Sequence, residues 1–101
     1  MGSGYPAMVG IGMPWYTRDN FQRVREVMVD RDKLHDTFDQ WEKAAKQGEA
    51  NLKAGGKIVV RANLDADKFA AWCAERDLET NASARNQFAA EVAYRELSGK
   101  A

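Results

Sequence analysis

The chain has 101 residues, of which 45% are hydrophobic and 30% are charged, a composition typical of one soluble globular domain with a modest core. Fifteen basic and fifteen acidic residues cancel, so there is no net charge to attract nucleic acid or an anionic membrane. A single cysteine excludes an internal disulfide and a cysteine-built zinc site, and no apolar run reaches the ~20 residues of a membrane span. We therefore expect a cytoplasmic protein.

The N-terminal part of the chain is rich in glycine. Val9, Ile11 and Met13 alternate with glycines, a pattern that fits a short edge strand at Ala7–Gly12. We predict that residues 1–13 form either a flexible segment or this strand, and that one compact domain occupies residues 14–98.

A first helix is predicted after the Pro14-Trp15-Tyr16 stretch. Thr17 is the expected N-cap, and Tyr16 has the spacing of a hydrophobic staple with Phe21. The helix should end near Asp30. Its apolar stripe consists of Phe21, Val24, Val27 and Met28. The following Asp30–Lys33 stretch is interpreted as a polar turn.

The second helix has the longest helical pattern in the chain. Thr37 and Gln40 form a capping box at its start, and Gly55-Gly56 ends it. One apolar stripe is predicted to pack inward: Leu34, Phe38, Trp41, Ala45, Gly48 and Leu52. Three acid–base pairs four residues apart are expected on a solvated outer face: Asp39–Lys43, Glu42–Lys46 and Glu49–Lys53.

After Gly56 the apolar residues recur at every second position, the pattern of a strand that is buried on one face. One side carries Ile58, Val60, Ala62 and Leu64, and the other carries Lys57, Val59, Arg61 and Asn63. A lone strand leaves backbone donors and acceptors unpaired, so it needs a partner. That partner is either the Ala7–Gly12 segment or the same strand, residues 57–64, of a second copy in a homodimer.

Two more helices follow. Asp65 should cap the third, which turns Phe69, Trp72 and Cys73 inward. Asn81 or Ser83 should cap the fourth, whose alanines allow close approach to a neighbouring helix. The predicted fold class is α+β and mostly helical, with four helices and one central strand in the order weak β-α-α-β-α-α.

Spaced aromatic landmarks over residues 14 to 93 resemble those of a small bacterial family of hypothetical proteins. They are Pro14-Trp15-Tyr16, Thr37-Phe38 with Trp41, Phe69 with Trp72-Cys73, and Ala84-Arg85 with Phe88-Ala89. The family has no established activity, so the resemblance implies a small compact domain and carries over no catalytic residue.

No catalytic, cofactor or metal site is predicted. Cys73 and His35 are the only possible nucleophilic pair, and nothing in the sequence brings them together. An enzymatic role is left open and disfavoured, because function must be argued from a site.

The preferred hypothesis is a non-catalytic protein–protein interaction or regulatory module that works as a homodimer or binds another protein. Tryptophan, tyrosine and arginine commonly anchor protein interfaces. The candidate contacts are Trp15, Tyr16, Ile58, Val60, Arg61 and Trp72. For Trp15 and Tyr16 we favour a second interpretation, that they plug the end of the core.

The alternative hypothesis is a small helical nucleic-acid-binding regulator. Its densest basic group is Arg18, Arg23, Arg25, Arg31 and Lys33. Four acids are threaded through this group, which argues against strong contact with phosphates.

Overall fold

The computed structural model describes residues 10–98, which form two β-strands, four α-helices and a short 3₁₀ turn. In chain order these are β1 (Gly10–Trp15), α1 (Phe21–Val27), the 3₁₀ turn (Arg31–Lys33), α2 (Phe38–Ala54), β2 (Ile58–Asn63), α3 (Ala66–Glu75) and α4 (Ala82–Ser98). The predicted class is confirmed, because the fold is α+β, mostly helical, with its elements in the predicted order.

β1 and β2 form a parallel two-stranded sheet in which Trp15 lies opposite Asn63. The central strand thus takes the N-terminal segment as its partner, one of the two predicted alternatives. β1 continues past the predicted end at Gly12, while residues 7–9 of the predicted strand lie outside the described residues. Because parallel strands need a long crossover connection, α1 and α2 serve as that connection.

The start of α2 is fixed by the predicted capping box. The Thr37 hydroxyl accepts a hydrogen bond from the Gln40 backbone N–H at 3.2 Å, and the Gln40 side chain accepts one from the Thr37 N–H at 3.3 Å. At the other end Gly56 has a φ of +84°, a left-handed conformation that favours glycine. Both predicted ends of this helix are therefore confirmed.

The N-caps of α3 and α4 also accept hydrogen bonds from backbone N–H groups three residues later in the chain. Asp65 accepts a hydrogen bond from the Lys68 N–H at 2.9 Å, as predicted. Asn81, one of the two candidates for α4, accepts one from the Ala84 N–H at 3.0 Å. These side-chain acceptors satisfy donors that the first helical turn leaves without partners.

The predicted bounds of α1 were wrong at both ends. The helix begins at Phe21, later than predicted, because a turn separates it from Thr17; the Thr17 hydroxyl still accepts a hydrogen bond from the Asn20 N–H at 3.3 Å. It ends at Val27, since Met28 adopts an extended conformation before the predicted end is reached.

The sheet lies between α4 on one face and α2 on the other. Side chains alternate across a strand, and Ala62 is buried whereas Arg61 is exposed, as predicted. Ile58, Val59 and Val60 are all half-buried, so the predicted burial of one face alone does not extend over the first half of the strand. A Cβ on Gly12 would overlap the backbone of Ala89, so glycine permits close packing of α4 on β1. The alanines of α4 were expected to approach another helix; Ala89 instead contacts this strand.

The core is dominated by aromatic side chains. The Trp41 ring lies 5.1 Å from Trp15, 4.8 Å from Tyr16 and 5.4 Å from Phe38 between centroids. A second aromatic cluster joins α3 to α4: Phe69, Trp72 and Phe88. Tilted and edge-on aromatic pairs add about 0.5–1.5 kcal/mol each beyond their buried area, so the first cluster holds α2 against β1 and the second holds α3 against α4.

Candidate interaction surface at the open edge of β2

The free edge of β2 is the feature that we regard as the candidate functional site. Backbone groups point alternately to the two sides of a strand, and the Leu64 N–H donates to the Trp15 carbonyl of β1 at 2.9 Å. The N–H and C=O groups of Val59, Arg61 and Asn63 therefore point away from β1. None of them has a hydrogen-bond partner within residues 10–98. This unpaired row is a template for a further strand.

Two helices border this edge. The edge forms the floor of a groove of about 500 Å³ whose walls come from the C-terminal halves of α2 and α4. The lining residues are Glu49, Lys53, Ile58, Val59, Val60, Arg61, Glu96 and Leu97. At the start of the strand the Lys57 N–H donates to the Leu52 carbonyl at 3.0 Å, so the end of α2 marks where the open edge begins.

Arg61 is held rigidly beside the groove. Its Nε and Nη2 donate to the two carboxylate oxygens of Glu49 at 2.8 and 2.7 Å, and its guanidinium lies 3.9 Å from the Trp15 ring centroid. The Arg61 hydrogen bond lowers the pKa of Glu49, which stays ionised on α2. A bidentate pair of this kind fixes the guanidinium in one orientation.

The outer edge of β1 is blunted, in contrast to that of β2. Because Trp15 directs its carbonyl toward β2, the backbone nitrogen of Pro14 faces the other way. Proline has no N–H to offer an added strand, and it is found in sheets at such edge positions. Pro14 thus removes one outward donor of β1, whereas Val59, Arg61 and Asn63 of β2 all keep theirs.

The six predicted contact residues fall in three places. Ile58, Val60 and Arg61 line the groove. Trp15 and Tyr16 are buried, with exposed fractions of 7% and 4%, so they belong to the core and present no exposed aromatic pair. Trp72 lies on α3 and is half-buried.

Trp72 is occupied by neighbours within the chain. The guanidinium of Arg76 lies over its ring at 4.3 Å, and its indole Nε1 donates to Glu91 at 3.5 Å. The structure brings Arg61 together with Trp15 and with the strand residues, but it leaves Trp72 apart from the groove.

Cys73 and His35 lie in different environments. Cys73 is 1% exposed in the core, and burial raises the pKa of its thiol, which disfavours the nucleophilic thiolate. His35 is exposed in the connection that precedes α2. Within residues 10–98, no group of three His, Cys, Asp or Glu side chains is placed to hold a metal ion.

The basic group considered for nucleic-acid binding is largely engaged by acids. Arg18 pairs with Asp39 at 2.7 Å and Arg23 with Asp67 at 2.8 Å. Arg25 lies 3.6 Å from an oxygen of Asp36. Since these arginines share a surface with carboxylates, the structure adds no observation in favour of the nucleic-acid hypothesis.

Sequence reasoning missed the role of Glu49. It was assigned to a solvated face, whereas its side chain is only 10% exposed and binds Arg61. The prediction was wrong because the turn of α2 that carries Glu49 faces β2. The available signal was an arginine inside an apolar strand, since such a residue needs an acidic partner.

Comparisons with protein-family models, with curated proteins and with solved structures found no match to this chain. The resemblance to a bacterial family stays a prediction. In the part of the chain that the structure describes, no helix has both the length and the apolar character needed to cross a membrane. The interpretation of the site therefore depends on its own geometry.

Proposed function

We propose that the protein is a non-catalytic protein–protein interaction module that works as a homodimer, joined by antiparallel pairing of β2 with β2 of a second copy. The observation that carries this proposal is the outward row of backbone groups on β2, at the floor of a groove bordered by α2 and α4. Strand addition to such an edge is a general mode of protein recognition.

A two-fold axis beside Val60 gives the most favourable register. Val59 of each copy then lies opposite Arg61 of the other, and the two residues exchange their outward N–H and C=O groups. An axis beside Arg61 would instead place two guanidinium groups opposite each other, which is unfavourable. The Val60-centred pairing satisfies both open edges at once and closes the assembly.

The charges of the groove fit a second copy better than a strongly charged peptide. Its lining has two acids, Glu49 and Glu96, and two bases, Lys53 and Arg61. A lining with balanced charges offers no net attraction to a strongly charged peptide, and a second copy carries no net charge. The side chain of Leu97 is 37% exposed beside this floor and offers apolar area to the incoming strand.

The test is solution mass by light scattering across a dilution series, with two proline variants as a matched pair. The wild-type mass should approach twice 11.3 kDa and fall on dilution. Val59→Pro removes an outward N–H and should give a folded monomer. Val60→Pro removes an N–H that faces β1 and should disrupt the fold.

Cysteine cross-linking tests the register. Directly opposed residues that do not exchange hydrogen bonds have Cα atoms about 4.5 Å apart, within the range that a disulfide spans. Val60→Cys should therefore form a disulfide-linked dimer on oxidation, whereas Ile58→Cys should not. A wild-type chain that stays monomeric at the highest attainable concentration would refute the homodimer, and cross-linking at Ile58→Cys alone would refute the register.

A further inference from the structure

A second pocket lies at the opposite ends of the same two helices. It has a volume of about 320 Å³ and is formed by β1, the connection before α2, the first turns of α2 and the start of α4. It shares no lining residue with the groove beside β2. A ligand in this pocket would leave the open edge free, so the two sites can be tested independently.

All charged side chains that line this pocket are basic. Lys33 and Arg85 line it together with His35, and no carboxylate does. Arg85 is 9% exposed and donates to both oxygens of Asp30, at 2.8 and 3.1 Å, so it is held in place from behind. Lys33 is exposed and has no ion-pair partner within residues 10–98. Because Asp30 balances the charge of Arg85, Lys33 is the charge in this lining that favours a negative ligand.

The other walls of the pocket are apolar. Trp41 supplies an aromatic surface, with Leu34 and Met13 beside it. Ligand pockets typically combine such apolar walls with a few polar groups that fix orientation, and the volume lies at the lower end of their usual range.

We propose that this pocket binds a small organic anion with an apolar body and one carboxylate. The body packs against Trp41 and Leu34, and the carboxylate lies beside Lys33 and Arg85. Tyr16 also lines the pocket. Burial raises the pKa of Tyr16 to about 12, so its phenol keeps its proton and can donate a hydrogen bond to the anion.

The test is an NMR titration of the full chain with 1-naphthaleneacetate and with its neutral isostere, 1-naphthaleneacetamide. The carboxylate should shift amide signals of the pocket residues with a Kd on the order of 1 mM, the value expected for a ligand of this size. The amide should bind at least about tenfold more weakly, because it lacks the charge that Lys33 recognises.

Two lysine variants separate a specific contact from general attraction. Lys33→Gln should weaken 1-naphthaleneacetate about tenfold. Lys43→Gln removes the same charge from an exposed position of α2 that lines no described pocket, and it should leave the affinity unchanged. Equal binding of the acid and the amide, equal effects of the two variants, or no shift at any soluble concentration would each overturn the proposal.

Discussion

At the scale of single residues, the pair formed by Asp30 and Arg85 stands out. Its side chains are 12% and 9% exposed, and two hydrogen bonds join them. The pair connects the segment after α1 to the first turn of α4, two parts of the chain that are far apart in sequence. Asp30 is therefore more than part of a polar turn, because it neutralises a buried guanidinium.

Removal of one partner of the Asp30–Arg85 pair should destabilise the fold. Asp30→Ala leaves the Arg85 charge buried without a counterion, and we expect the free energy of unfolding to fall by about 3–5 kcal/mol. Asp32→Ala is the matched control, since Asp32 is exposed, and it should change stability by less than about 0.5 kcal/mol. Urea denaturation at one fixed protein concentration measures both. Similar losses in the two variants would contradict the structural role of the pair.

The same scale shows which features the sequence can predict. The caps at Thr37 and Asp65 were predictable because the acceptor and the donor lie three residues apart. The Glu49–Arg61 and Asp30–Arg85 pairs join residues 12 and 55 positions apart, so no local pattern indicates them. They become visible only when the helices have been placed on the sheet.

At the scale of elements, the packing of α4 on β1 depends on Gly12. A Cβ there would overlap the carbonyl group of Ala89, so one of the two backbones would have to shift. We expect Gly12→Ala to lower the melting temperature and the free energy of unfolding by more than about 2 kcal/mol, as overpacking of a core does. Thermal unfolding followed by circular dichroism measures this loss.

Gly48 is the matched control, because substitution by alanine should raise stability there instead of lowering it. It lies inside α2, and a Cβ at this position would meet only the Met13 Cε at 3.7 Å, an ordinary contact. Alanine is favoured over glycine in a helix by about 1 kcal/mol, so Gly48→Ala should stabilise the protein. A destabilising Gly48→Ala, or a neutral Gly12→Ala, would contradict the packing described for these two helices.

The boundary of α1 shows why element ends are harder to predict than elements. The Asn20 side chain accepts a hydrogen bond from the Thr17 N–H at 3.3 Å and donates one to the Leu64 carbonyl at 3.1 Å. If the parallel pairing continued, the Leu64 carbonyl would accept a hydrogen bond from the Thr17 N–H. The Asn20 side chain donates to that carbonyl instead. The Thr17 hydroxyl accepts a hydrogen bond from the Asn20 N–H at 3.3 Å, as its capping pattern predicts, whereas the contact of Asn20 with Leu64 is a tertiary one that no local pattern contains.

At the scale of the whole molecule, two carboxylates that join different elements should make stability depend on pH. The hydrogen bond from Arg85 lowers the pKa of Asp30, and the hydrogen bond from Arg61 lowers the pKa of Glu49. In the pH range between the folded and the unfolded pKa, the unfolded chain binds more protons. The free energy of unfolding therefore rises with pH in that range.

We expect this stabilisation to be complete above about pH 5 and to be lost progressively at lower pH. Urea denaturation between about pH 7 and about pH 3 should show the loss in the wild type and a shallower loss in Glu49→Gln, which has no carboxylate to protonate. Glu79→Gln removes a similar group from an exposed position and should keep the wild-type slope. If Glu49→Gln instead loses as much free energy of unfolding as the wild type over this range, the Glu49–Arg61 pair is not a source of the pH dependence of stability.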